Sequence, residues 1–143
     1  MKIILRNILA VIAGLVIGGM VNMALISISS SVIPPPIDAD VSAQEGLKAV
    51  MHLFEPRHFI FPFLAHALGT FVGALIAAAI AVNHKMKFAM AIGFVFLIGG
   101  ITSVFMLPSP LWYTVVDLVF AYLPMGYLAG RIVLRNRTSS HEA

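Results

Sequence analysis

The sequence predicts an all-α fold: a polytopic membrane protein, built as a four-transmembrane-helix bundle with a short amphipathic helix in its first extracytoplasmic loop. Three observations carry that prediction. Of 143 residues, 60% are hydrophobic and only 10% charged, whereas soluble domains carry about a quarter charged side chains. The apolar residues gather in long uncharged runs of roughly 20 residues, the length a helix needs to cross a hydrocarbon core. The basic residues stand outside those runs or close to their ends. A water-soluble chain of this size could not hide so much apolar surface. The lipid bilayer is therefore the expected solvent, and residues 1–143 are expected to form a single integral membrane domain.

The first span is expected at 8–28. Lys2 and Arg6 precede it, and small residues follow at Ser27, Ser29 and Ser30. That outline resembles a signal peptide, but the apolar run exceeds the roughly 7–15 residues of a signal core, so an uncleaved span is the expectation. The loop 29–57 is the only sizeable polar segment. Pro34, Pro35 and Pro36 cannot continue a helix and favour extended backbone. A short amphipathic helix is expected over about 42–55. Ser42 with Glu45 fits a capping box, and Leu47, Val50, Met51 and Phe54 form one apolar stripe. Lys48, His52 and Glu55 face the other way, and Pro56 ends the element. A helix of this kind, joined directly to a span, lies in the interface or caps the bundle.

The second span, 59–82, carries His66 as its one titratable side chain, beside a small-residue stripe of Gly69, Thr70, Gly73 and Ala77. A basic turn from Asn83 to Lys87 leads to the third span, 88–107. Pro108-Ser109-Pro110 makes the next turn, with Trp112 and Tyr113 as expected interfacial anchors. The fourth span, 111–133, contains Asp117 and a mid-span Pro124, which should kink it and free a carbonyl near residue 120; Tyr122 and Tyr127 flank that proline. Thr138 to Ala143 read as a short disordered tail.

Orientation follows from the basic residues. Of the nine lysines and arginines, Lys2, Arg6, Lys85, Lys87, Arg131, Arg135 and Arg137 fall on one side of a four-span topology, and only Lys48 and Arg57 on the other. Positive charge marks the cytoplasmic side. Both termini are thus expected in the cytoplasm of a cell with a bacterial-type inner membrane. The same placement makes the basic excess a matter of topology, so no nucleic-acid partner is expected.

Association of spans in lipid depends on close contact and polar links. Small residues recur at the required spacing: Gly14 and Gly18 in the first span, Gly69 and Gly73 in the second, Gly126 and Gly130 in the fourth. The third places Ala89, Gly93 and Gly100 on roughly one side. Packing within the bundle is the simpler expectation; a homo-oligomer or a larger membrane complex would use one of these faces externally.

The chemically interesting residues share a depth. With a rise of about 1.5 Å per residue, Asn22, His66, Thr102 and Asp117 each lie roughly 8–10 Å below the same end of the bundle. An aspartate at that level costs on the order of 2–3 kcal/mol unless paired, protonated or wetted. His66 is the only titratable residue of another span able to meet it. A hydrogen bond between Asp117 and His66 is therefore expected, with Asn22 and Thr102 or Ser103 completing a buried polar network. It would act as a register-fixing link or as a proton or ligand site.

Other chemistry has weaker support. His52, Glu55 and His58 are a possible divalent-metal set, but Pro56 breaks the helix between them, so no metal is expected there. With no cysteine, disulfides and thiolate metal sites are excluded. The methionines read as adaptable packing. Phosphate-binding, dinucleotide, nucleophile-elbow and zinc-helix motifs are absent, and nothing local marks Ser103 as a nucleophile for a Ser-His-Asp arrangement. The expectation is a small non-enzymatic membrane protein without a cofactor, acting as an accessory or structural subunit or as a homo-oligomer. The alternative is a minimal proton-coupled transporter or channel using His66 and Asp117.

Overall fold

A computed structural model gives the fold; it describes residues 2–36 and 43–139, with side chains placed as far as residue 136. The described residues are all helix and connecting turns. They form α1 (Lys2–Val32), α2 (Gln44–Val50), α3 (Ile60–Ile80), α4 (Lys85–Met106), α5 (Leu111–Phe120) and α6 (Leu123–Ser139), with single 3₁₀ turns at Met51–Leu53 and Pro56–Phe59. Four helical stretches are long and apolar enough to cross a membrane: Lys2–Val32, Pro56–Ile80, Lys85–Met106 and Leu111–Asn136.

The first helix is longer than the expected 8–28. Its 31 residues extend roughly 46 Å at the usual rise, and it meets the rest of the chain chiefly through α3. Helix α3 is the centre of the bundle, packing on α1, α4 and α6. Its neighbours approach closely because their contact faces lack bulk. The seam with α1 is antiparallel, glycine against glycine. A methyl group added at Gly14 would stand 2.6 Å from the Gly73 carbonyl oxygen, and one at Gly18 2.6 Å from that of Gly69. On the other side of the bundle Gly93 and Gly126 meet in the same way, with added methyls 3.1 Å from the carbonyls of Tyr122 and Ala89. Gly130 lies under Met86, and Gly100 under the Tyr122 ring. Between these seams Ala74, Ala77, Ala78, Ala89, Ile92 and Ala129 are wholly buried. They close the bundle toward the end that carries both termini, the terminal end.

The turn from α3 to α4 is clamped by side chains. His84 adopts the left-handed conformation, with φ 47°, which histidine tolerates better than most residues. The Lys85 Nζ donates to the carbonyl oxygens of Ala78 at 2.7 Å, Ala79 at 3.0 Å and Ala81 at 2.6 Å. These are the carbonyls that a helix C-terminus leaves without intrahelical partners, and a cation there also faces the negative end of the helix dipole. Lys85 is therefore buried and begins α4, so the basic turn expected over Asn83–Lys87 is shorter than that range. From α1, Asn7 accepts the Val82 N–H at 3.0 Å and donates to Asn83 Oδ1 at 3.1 Å, while Arg6 Nε donates to the Ile80 carbonyl at 2.9 Å.

Two expected elements need correction. The amphipathic helix does not run over 42–55: α-helix holds only for Gln44–Val50, tightens to 3₁₀ at Met51–Leu53, and breaks before Pro56. Its apolar stripe packs as anticipated, with Met51, Phe59 and Tyr113 buried together and Leu47 and Phe54 against them. The proposed Ser42 cap lies outside the described residues. The fourth span is not a kinked continuous helix but two helices broken at Ala121–Tyr122. Pro124 sits in the first turn of α6, where its missing N–H costs nothing.

Candidate functional site

At the opposite end of the bundle, the loop end, residues from α1, α4 and α5 surround a space that is also lined by Ile33, Pro35, Leu47, Met51 and Phe54. That space is a cavity of about 720 Å³, within the range typical of small-molecule sites. Its walls are mostly apolar, from Ile26 and Ile33 on one side to Val104 and Leu107 on the other, with Phe54 and Phe59 overhead. His66 and Asp117 lie among the residues that line it.

The expected contact between those two residues is present. His66 Nδ1 lies 2.8 Å from Asp117 Oδ1 and 3.0 Å from Oδ2. The carboxylate side chain is only 5% exposed and the imidazole 22%. Two further donors converge on the same carboxylate. The Tyr122 hydroxyl donates to Oδ2 at 2.9 Å, and the Tyr113 hydroxyl reaches Oδ1 at 3.5 Å, the limit of a hydrogen bond. The Tyr122 ring also stacks on His66, with centroids 5.7 Å apart.

The local fold explains this convergence. Tyr113 is one helical turn before Asp117 on α5, so both project to the same side. Tyr122 is five residues after Asp117, a spacing a continuous helix would turn away; the break at Ala121–Tyr122 returns it. Gly100 of α4 makes room, since a methyl there would overlap the Tyr122 hydroxyl.

Three donors converge on one carboxylate, which when ionised accepts from all of them. His66 then donates through Nδ1–H, and Nε2, which has no hydrogen-bond partner among the described residues, is left as an acceptor.

The rest of the expected network does not assemble. Thr102 donates back to the Ile98 carbonyl at 2.9 Å and Ser103 to that of Gly99 at 3.0 Å. Hydroxyls within a helix commonly satisfy themselves in this way. Ser103 does line the cavity, but its hydroxyl is committed to backbone. Asn22 stays on the α1–α3 seam, its side chain against Gly69; its Oδ1 and the Thr70 Oγ1 are buried without a hydrogen-bond partner among the described residues.

The three residues weighed for metal separate. His52 is exposed. Glu55 forms an exposed ion pair with Arg57 at 3.0 Å. His58 is buried and held by backbone: its Nδ1 accepts the Glu55 N–H at 2.9 Å, and its Nε2 lies 3.1 Å from the Pro34 carbonyl. That pattern calls for the Nε2–H tautomer, with His58 tying residues 55–58 to the chain leaving α1.

Tyr113 and Tyr122 were not assigned to the site by the sequence. Tyr113 was expected at the interface beside Trp112, but it is 8% exposed while Trp112 is 48% exposed. Its spacing of four from Asp117 was the available signal. Tyr122 had no such signal, because its position depends on the helix break. Comparisons with protein-family models, with curated proteins and with solved structures gave no match.

Proposed function

We propose that this protein is a non-enzymatic membrane protein that binds a small amphipathic molecule in the cavity at its loop end, with His66 and Asp117 as the polar contact. The observation that carries this reading is an ionisable pair on the floor of a largely apolar cavity of about 720 Å³. A polar link serving only helix register has no need of a cavity above it. The layer of buried alanines beneath the pair supports a binding site reached from one end, rather than an open channel.

In this reading the cavity faces away from the cytoplasm of a bacterial-type inner membrane. The support is the distribution of basic residues, seven of which attach to the terminal end. A transporter would add to binding a rearrangement that opens the alanine layer, with His66 and Asp117 as the proton site.

The test is native mass spectrometry of protein released from its own membranes in mild detergent. Wild-type protein should carry a bound small molecule at one per chain, and a cavity-filling Val104→Phe variant should lose it. Equal occupancy in both, or none in either, would overturn the reading.

A second reading, an accessory subunit or homo-oligomer, is favoured by α1. Beyond its seam with α3 this helix exposes Ile12, Val16, Met20 and Met23, and Gly19 has nothing within 4 Å. Copy number and co-migrating partners after detergent extraction test that role.

A further inference from the structure

We infer that the molecule this cavity takes is a lipophilic amine: an apolar body carrying a protonated nitrogen. The inference deepens the binding role proposed above and rests on it. Among the described residues that line the cavity, Asp117 is the only carboxylate and there is no lysine or arginine. The pair carries one negative charge when Asp117 is ionised and His66 is neutral. With Nδ1 turned to Asp117, His66 Nε2 has no hydrogen-bond partner among the described residues and is the acceptor the imidazole has left. A head group that donates a hydrogen bond and carries positive charge satisfies both features. An ammonium bound there lies about 7 Å from the carboxylate, with the imidazole between them. In surroundings of intermediate polarity such a charge is worth on the order of tenfold in affinity or more.

The walls fit the same occupant. Phe59 and Tyr113 lie with ring centroids 4.6 Å apart and planes tilted by 37°, and Phe54 stands edge-on to Phe59 at 6.1 Å. Their faces attract a cation passing into the cavity, and their bulk accepts its apolar body. An acid of the same shape would bring a second negative charge toward Asp117. An alcohol would gain the hydrogen bond without the charge.

The chain contains one tryptophan, and it reports on this site. Trp112 packs edge-on against Phe59 at 5.6 Å and Tyr113 at 5.9 Å. The experiment is a tryptophan-fluorescence titration of full-length protein in phosphatidylcholine nanodiscs, with dodecylamine, dodecanol and dodecanoate as probes. Wild-type, Asp117→Asn and Val104→Phe proteins are compared, and empty nanodiscs correct for partitioning. The expected result is saturable dodecylamine binding about tenfold or more tighter than either other probe. That preference should vanish in Asp117→Asn, and all specific binding should vanish in Val104→Phe. Dodecanol or dodecanoate binding as tightly as the amine to wild-type protein would overturn the amine assignment and leave the binding role standing. No saturable signal from any probe, or full binding to Val104→Phe, would overturn both. The three-probe comparison on wild-type protein keeps the test decisive even where a variant fails to fold.

Discussion

Replacing Tyr122 by Phe removes one hydroxyl from the Asp117 carboxylate and almost nothing else. Tyr122 is 1% exposed, so water cannot restore the lost donor without disturbing its neighbours. The deleted bond runs 2.9 Å to Asp117 Oδ2, and a hydrogen bond to a charged partner contributes about 1.5–3 kcal/mol. The phenyl ring keeps its stacking on His66, and the void left is smaller than a methyl group. A loss near 2 kcal/mol is therefore expected, roughly 30-fold in the unfolding equilibrium. Tyr113→Phe provides the internal control. It deletes a hydroxyl from the same carboxylate, but one at 3.5 Å, so its cost should stay below about 1 kcal/mol. Reversible unfolding in mixed micelles, with helix content followed by circular dichroism, measures both. Equal costs, or a larger cost for Tyr113→Phe, would refute the reasoning that Tyr122 is the principal hydroxyl donor to Asp117.

Three further predictions concern the frame around the site. Gly73→Ala places a methyl 2.6 Å from the Gly14 carbonyl, so it should cost about 1–3 kcal/mol as the helices separate; Gly99→Ala, with open space around it, should be neutral or stabilising by up to about 1 kcal/mol, and the same unfolding assay compares them. Lys85→Met leaves the carbonyls of Ala78, Ala79 and Ala81 without that donor, and should destabilise by about 2 kcal/mol or more with faster amide hydrogen exchange confined at first to residues 81–88. His58→Ala releases the tie to Pro34 and should raise exchange across 47–54 while leaving the α1–α3 seam protected.

What the sequence conveyed, and what it did not, divides along one physical line. The four long apolar helices were legible because hydrocarbon thickness sets a length that composition reveals directly. Depth was legible too: a constant rise per residue brought His66 and Asp117 to one level, and the two do meet at 2.8 Å. Rotation about a helix axis was not. Helix α4 is apolar nearly all round, so no period distinguished one face, and Thr102 and Ser103 turn their hydroxyls back onto its own carbonyls. Asn22 illustrates the same loss on α1. The glycine spacing in the first two spans was visible, but not which glycine would oppose which; the antiparallel match of Gly14 with Gly73 and Gly18 with Gly69 comes only from the packed structure. Pro124 signalled an irregularity, yet its consequence depended on whether the helix bent or broke. The break is what returns Tyr122 to Asp117, so the strongest hydroxyl contact in the site was the one least accessible to reasoning from periodicity.

The central claim is that Asp117 accepts from converging donors, His66 Nδ1 among them, so that His66 Nε2 has no hydrogen-bond partner among the described residues. Nitrogen-15 magnetic resonance of the histidine ring in lipid bilayers tests it most directly. The account predicts that His66 carries its proton on Nδ1, with Nε2 bare, and that Asp117→Asn shifts the Nδ1 resonance. A bare Nδ1, with the proton on Nε2 and no response to Asp117→Asn, would contradict it.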